Sequence, residues 1–339
     1  MPPSLMQRVE DGEVLTRAEA EEAMEEILSG RVETSKIVSL LRGMNSRPIQ
    51  PQELAGFATV MRRHAARVFS DDRLSPPHLV DTCGTGGDGC DTFNISTAAA
   101  IVASAAGAYV AKHGNRASSS RCGSADVLEA LGVRVDIPLQ RCGEAIRELG
   151  LGFLFAPAAH SATRHAIAAR KQIGTRTAFN LLGPLTNPAG AHSQLVGVYS
   201  PEVIDLMAST LAELGVQRAL VVHGADGLDE ISLSAETLAA EVRDGKIRRL
   251  ILKPEDFGIS RTSSDSLSGG TAAENAALIR GVLNGEPAPR RDITVINAAA
   301  ALVVSGIAAD FPDGAHLAAN AISSGLAKQK LAALVAFTN

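Results

Sequence analysis

The segment Asp81-Thr82-Cys83-Gly84-Thr85-Gly86-Gly87-Asp88-Gly89 follows a short apolar run, Leu79-Val80, and is dense in glycine. Without a Cβ, backbone N–H groups can converge on an anion, so such a loop can cradle phosphate. It formally contains G-x-G-x-x-G at Gly84, Gly86 and Gly89. A dinucleotide fingerprint also needs a helix opening directly at the glycines and an acidic residue ending the next strand; here that strand ends in Lys112-His113. Taken alone, the loop reads equally as a tight turn. Asn94-Ile95-Ser96-Thr97 starts the next helical run, and its unpaired amides would suit a phosphate, although a cap by Asn94 or Ser96 explains the same residues.

Lys112-His113-Gly114-Asn115-Arg116-Ala117-Ser118-Ser119-Ser120-Arg121-Cys122-Gly123-Ser124 is more informative. Cations and small polar groups crowd between a strand end and a helix start, where doubly wound sheets collect ligands. A solvated loop is the plain alternative, but this density of donors suits several phosphate oxygens at once. Asp226-Gly227-Leu228-Asp229-Glu230 follows another apolar run, and adjacent carboxylates beside a phosphate site point to Mg2+. Arg170 ends a helical run; it suits either a helix C-terminus or a two-pronged grip on a carboxylate.

Elements that would position these residues can be read from periodicity. Thr16-Arg17-Ala18-Glu19 has capping-box spacing, and Ala20, Met24, Ile27 and Leu28 share the helical face that follows. Ile37, Leu40, Leu41 and Met44 mark a second helix; Pro51 opens a third with Leu54, Phe57, Ala58 and Met61. Ser75-Pro76-Pro77 reads as a linker. Beyond it, apolar strands are expected at 79–80, 109–111, 133–135, 153–155, 195–198 and 219–222. Helices are expected at 96–106, 125–131, 144–149 and 202–214, with three more near the C-terminus. This alternation implies an α/β fold with a mainly parallel central sheet covered by helices. The run from Ser96 is apolar on all sides and should lie buried.

The chain has 339 residues, more than twice a common domain of roughly 150, so a large core or two domains is expected. A net charge of −5 and only 11 aromatics (9 Phe, 2 Tyr, no Trp) speak against a nucleic-acid partner. The four cysteines have neither a disulfide-scaffold density nor zinc spacing. The charged N-terminus is unlike a signal peptide, and the longest uncharged stretch is too rich in Ala, Ser, Thr and Gly for a membrane span. A cytoplasmic protein without a membrane partner is expected.

Six strings in order, D-T-C-G-T-G-G-D, N-I-S-T-A, K-H-G-N-R-A-S-S-S-x-x-G-S-A-D-V-L-E-A-L-G, R-T-A-F-N-L-L-G-P-L-T-N-P-A, H-G-x-D-G-L-D-E and L-x-G-G-T-A-x-E-N-A, together resemble the anthranilate phosphoribosyltransferase family. The resemblance implies a small helical domain (1–76, joined by a later segment near 170–190) and a larger α/β domain (78–339) of the nucleoside phosphorylase and phosphoribosyltransferase type. It also implies a homodimer formed through the helices, and transfer of phosphoribosyl from phosphoribosyl pyrophosphate to anthranilate in tryptophan biosynthesis. Donor contacts carried over are Gly84, Gly87, Asp88, Thr92, Asn94, Ile95, Ser96, Thr97, Lys112, His113, Gly114, Asn115, Arg116, Ala117, Ser118, Ser119, Ser120 and Ser124. Acceptor contacts are Gly84, Asn115 and Arg170; Ser96, Asp229 and Glu230 match the positions for Mg2+, two ions per active site. His113 is the candidate general base. His160-Ser161-Ala162-Thr163 and Ala168-Ala169-Arg170 depart from the family's common H-P-A-M and P-V-R, which puts the acceptor channel in doubt. A same-fold nucleic-acid binder and a pyrimidine nucleoside phosphorylase are the alternative readings.

Overall fold

The computed structural model describes residues 3–117, 120–263 and 265–339. The chain opens with four helices, α1 (Pro3–Glu10), α2 (Arg17–Leu28), α3 (Thr34–Asn45) and α4 (Pro51–His64). The first of these carries no sequence signal used above. Thr16 and Glu19 close the capping box at α2, and Ala20, Met24, Ile27 and Leu28 are buried together. Glu53 on α4 is fully buried because Arg47 grips both its oxygens, at 2.8 and 2.6 Å. The N–H groups of Leu15 and Gln50 also bond that carboxylate, so one acid ties three segments.

The α/β part runs β1 (Leu79–Asp81), α5 (Ile95–Ala105), β2 (Tyr109–Gly114), α6 (Ser124–Ala130), α7 (Leu139–Leu149), β3 (Leu151–Phe155) and α8 (Ala156–Ala159). After α9 (Arg164–Ile173) and α10 (Phe179–Leu182) come β4 (Ser193–Gly197), α11 (Ile204–Glu213), β5 (Arg218–Gly224), β6 (Thr237–Arg243) and β7 (Lys246–Leu252). Four helices close the chain: α12 (Ala272–Leu283), α13 (Pro289–Ser305), α14 (Phe311–Ser323) and α15 (Leu326–Thr338). The sheet order is β3-β2-β1-β4-β5-β6-β7. Pairing is parallel from β3 through β5 and antiparallel onward.

The helix expected from Ser96 is α5, buried from Thr97 through Ser104 against one sheet face together with α13. On the other side, α2–α4 share a core with α9, α10, α11 and the outer face of β4 and β5. Residues 133–135 form no strand. Val133 and Val135 are buried in the main core, but the Arg134 N–H bonds the Thr338 hydroxyl rather than a ladder, so alternation here reflects packing without pairing. The β6–β7 hairpin was not expected. It turns at Asp244-Gly245, both with positive φ (50° and 76°), a turn signal masked by the exposed, charged β7. Four C-terminal helices, not three, follow. No helix among the described residues is long and apolar enough to cross a membrane.

The strand order reverses between β1 and β4, and parallel sheets leave a crevice at the carboxyl ends of such a pair. The glycine loop leaves β1, the basic segment leaves β2 and the acidic turn leaves β5, all at that end.

Candidate phosphate and metal site

Gly86, Gly87 and Gly89 have positive φ (62°, 79° and 78°), a conformation for which a side chain would be strained. The Thr85 N–H donates to the Gly197 carbonyl at 2.8 Å, and the Thr85 hydroxyl accepts from the Tyr199 N–H at 3.1 Å, pinning the loop to the end of β4. A Cβ on Gly197 would overlap the Asp229 carbonyl oxygen, and one on Gly84 would stand 3.4 Å from Asp229 Oδ2. Small residues at the ends of two strands thus let the acidic turn close against the glycine loop.

Asp229 has its pKa pushed up to about 7, first by burial and then by the neighbouring Asp88. Glu230 is raised well above the ordinary carboxylate range by burial and by Asp229, while Lys112 opposes the shift. The Asp229 N–H bonds Asp88 Oδ2 at 3.3 Å. Glu230 faces the Ser96 N–H in the first turn of α5, where the helix dipole favours an anion. Crowded, desolvated carboxylates with oxygen-only donors fit a hard divalent cation such as Mg2+, which would relieve their repulsion.

Lys112 lies within β2, not in a loop, and is 4% exposed. Its Nζ donates to Ser96 Oγ at 3.2 Å, Thr82 Oγ1 at 3.3 Å and the Thr82 carbonyl at 3.4 Å. Its charge also favours the ionised forms of Asp81 and Glu230. Asp81 is fully buried and its pKa is pushed up to about 6, despite bonds from Asn187 Nδ2 at 2.7 Å and the His113 N–H at 3.1 Å. Asp81, Cys83 and His113 place potential ligand atoms within 4.8 Å of one another. That trio is a poor metal site, because both Asp81 oxygens are already engaged and Lys112 supplies the cation.

His113 is corrected as a general base. Burial first, then His160 and Lys112, pull its pKa down to about 3, and Nδ1 lies 3.2 Å from the Gly183 carbonyl. A neutral ring that takes up its second proton only far below neutral pH is a weak proton acceptor. Arg116, expected as a donor contact, has its side chain already paired. Its guanidinium binds Asp126 at 3.2 Å and Glu129 at 2.6 Å and stands over the Phe155 ring. Gly114 is the close-packed start of the basic segment, where a Cβ would strike Ser124 Oγ. The Asn115 carbonyl accepts from the Ala125 N–H at 3.1 Å and from Ser124 Oγ at 3.3 Å. Asp126 accepts the Ala117 and Gly123 amides, each at 2.9 Å. Ser120 is exposed, and the expected contacts Ser118 and Ser119 lie outside the described residues.

The capping explanation for Asn94 fails, since its side chain makes no cap bond. Thr92 instead forms a bridge to Ser268, the Phe93 N–H donates to the Leu267 carbonyl at 2.9 Å, and the Asn94 amide is held by Asn275 and the Cys122 carbonyl. Ile95 is buried in the core and offers no side-chain contact to a polar ligand. Thr97 Oγ1 is buried without a partner among the described residues. On the helical side, Arg170 is exposed, its guanidinium lies 5.4 Å from the Phe179 ring centroid, and that side chain forms no hydrogen bond or ion pair among the described residues.

Several residues of this assembly were not read from the sequence as site residues, although Arg176 opens the string R-T-A-F-N. Arg176 donates to the Gly87 carbonyl, stacks 4.0 Å from the Tyr199 ring centroid and, through its own carbonyl, accepts from Asn45 on α3 at 2.7 Å. Asn297 on α13 bonds both the N–H and the carbonyl of Ile231, at 3.0 and 3.1 Å, bracing the residue after Glu230. Asn45 and Asn297 stand alone, far away in sequence, and gave no spacing to read.

Residues 76–328 match the α/β domain of a glycosyl transferase family, and residues 3–65 match that family's helical bundle domain. An anthranilate phosphoribosyltransferase of Pelotomaculum thermopropionicum is 50% identical over 338 residues, covering 100% of this chain and 97% of the relative. A crystal structure of the anthranilate phosphoribosyltransferase of Thermus thermophilus has TM-score 0.92 at 44% identity and covers 98% of this chain and 99% of its own. The Saccharomyces cerevisiae enzyme in complex with PRPP and Mg has TM-score 0.88 at 27% identity, with coverage of 100% and 98%.

Proposed function

The chain belongs to the anthranilate phosphoribosyltransferase family, and from that premise we propose how its residues share the work. The enzyme transfers the phosphoribosyl group of phosphoribosyl pyrophosphate to the amine of anthranilate, giving N-(5-phosphoribosyl)anthranilate and pyrophosphate in tryptophan biosynthesis, with magnesium. At this identity over the full chain, neither the nucleic-acid binder nor the nucleoside phosphorylase is favoured.

The observation that carries the assignment of roles is the meeting of the glycine loop, Lys112 and the Asp229-Glu230 pair at the strand-order reversal. Loss of pyrophosphate from C1 of the ribose builds positive charge on the sugar and negative charge on the leaving group. Amides of the glycine loop, the α5 N-terminus and the segment from Gly114 to Ser124 would hold the phosphates and bind them more tightly as that charge grows. Bound Mg2+, two ions per site in this reading, would neutralise the departing charge, with Asp229, Glu230 and Ser96 as its protein ligands. Lys112 keeps Ser96 and Thr82 in place from beneath. Asn115, Gly84 and Arg170 would position anthranilate. Its weakly basic aromatic amine needs little deprotonation before attack, which fits a site whose central histidine is uncharged.

Arg170 would read the acceptor carboxylate, since its guanidinium has no hydrogen-bond or ion-pair partner among the described residues and meets only the Phe179 ring. Formation of the phosphoribosyl product from anthranilate and from aniline, with and without Mg2+, tests both the reaction and this role. Arg170→Ala should cut the preference for anthranilate roughly ten- to a hundredfold and leave the KM for the donor unchanged. An equal preference in both enzymes would demote Arg170 to a helix-end cation.

A dimer built on the helical domain belongs to the same proposal, supported by Ile167 standing 46% exposed on α9. Native mass measurement at micromolar concentration should give twice the chain mass, and a monomer alone would overturn it. A cytoplasmic setting is supported by four cysteines that are free thiols.

A further inference from the structure

We propose that Asn275, in the C-terminal motif L-x-G-G-T-A-x-E-N-A, is a positioning residue that fixes which way the Asn94 carboxamide faces the donor. The inference rests on the reading of Asn94 as a donor contact. Asn275 lies at the first turns of α12 and is 1% exposed. Its Oδ1 accepts from the Gly270 N–H at 2.7 Å, and its Nδ2 donates to Asn94 Oδ1 at 2.9 Å. Asn94 Nδ2 then donates to the Cys122 carbonyl at 3.1 Å.

The relay has one sense only. A backbone N–H can face only an acceptor, so Gly270 forces the Asn275 oxygen toward itself and the Asn275 nitrogen toward Asn94. A backbone carbonyl can face only a donor, so Cys122 forces the Asn94 nitrogen toward itself. Both ends agree, which removes the usual ambiguity between the two orientations of a side-chain amide. One N–H of Asn94 is left over, beside the start of α5, where an anion would be met by a donor. Flipped, the same amide would offer a lone pair to a phosphate oxygen.

The surrounding stitches hold Asn275 to this position. The Gly269 N–H donates to the Asp91 carbonyl at 2.8 Å, and a Cβ on Gly269 would come within 2.6 Å of the Thr92 carbonyl oxygen. Thr271 and Glu274 close a capping box at the start of α12. The motif therefore grips residues 91–94 through its backbone and sets the polarity of Asn94 through Asn275.

The test is a double-mutant cycle on the full-length enzyme with Mg2+ and phosphoribosyl pyrophosphate. Asn275→Asp keeps the acceptor for Gly270 but turns an oxygen toward Asn94. Asn275→Ala removes both bonds without adding charge, and serves if the aspartate variant fails to fold. Either should raise the KM and the equilibrium dissociation constant for the donor roughly tenfold or more, with the KM for anthranilate unchanged and kcat nearly so. In an Asn94→Ala background the same substitutions should have no further effect on donor binding, because the group they orient is gone. Additive losses, or equal losses for donor and acceptor, would show that Asn275 only supports the fold and would overturn the inference. If Asn94→Ala weakens the donor but the Asn275 variants do not, the inference alone fails. If Asn94→Ala leaves donor binding unchanged, it is the reading of Asn94 that fails, and the inference with it.

Discussion

Asp229→Asn combined with Glu230→Gln will lower turnover by on the order of a thousandfold at ordinary Mg2+ concentration, while the protein folds as before. Several kcal/mol of charge stabilisation on the leaving pyrophosphate depends on the cation these residues would hold, and each 1.36 kcal/mol is about tenfold in rate. Folding should survive because burial raises both carboxyls, helped by Asp88 at Asp229 and by Asp229 at Glu230, so their charge opposes the metal-free fold. A carboxyl whose folded pKa is raised contributes stability present at low pH and lost as pH rises through the folded value, about 7 for Asp229. At pH 7.5 without Mg2+ the neutral variant should therefore melt no lower than the wild type. Adding Mg2+ should raise the melting temperature of the wild type only. Retention of the wild-type Mg2+ dependence of the rate would remove both residues from the metal site.

Lys112→Met will destabilise the protein by about 1–3 kcal/mol, the range for leaving buried polar groups without their hydrogen-bond partner, here the Thr82 carbonyl and the Thr82 and Ser96 hydroxyls. The sequence alone placed Lys112 at the start of a basic segment between a strand end and a helix start, suited to phosphate oxygens. Buried within β2, the ammonium is also the counter-charge of Asp81, whose carboxylate has no exposure at all. Urea unfolding should show the midpoint of the variant well below that of the wild type. Adding Asp81→Asn should recover less than the whole loss. Both Asp81 oxygens accept N–H bonds, from Asn187 Nδ2 at 2.7 Å and from the His113 N–H at 3.1 Å, and a carboxamide has only one oxygen to offer them. A midpoint shared by Lys112→Met and the wild type would return Lys112 to the role of a ligand contact without structural duty.

Much of this arrangement was legible because it is written in short stretches. Four glycines from Gly84 to Gly89, a lysine ending an apolar strand and a paired acid after another each state a chemistry from local residue type. Their order also states a topology, because parallel strands alternating with helices bring the loops after successive strands to the same end of a sheet. Capping at Thr16 and burial of the helix after Asn94 were likewise local, set by spacing over a few residues. Where the same local signals misled, a distant partner had intervened. Val133 and Val135 alternate like a strand but pack into the core while Thr338 takes the neighbouring amide, and the charged face of β7 hid a strand that pairs through its backbone.

The sequence by itself determined the family, the α/β architecture and the residue types gathered at the site. Only the tertiary structure decided what each of them faces. Arg116, expected at the donor, stands opposite Glu129, and His113, a candidate base, has its pKa drawn down by burial and His160. Asn275 lies 181 positions from the Asn94 oxygen it holds, and Asn297 lies 66 from the Ile231 backbone it braces. A charge or an amide acquires its function from desolvation and from the partner that desolvation forces on it. Both are properties of groups brought together by packing, which spacing along the chain does not contain.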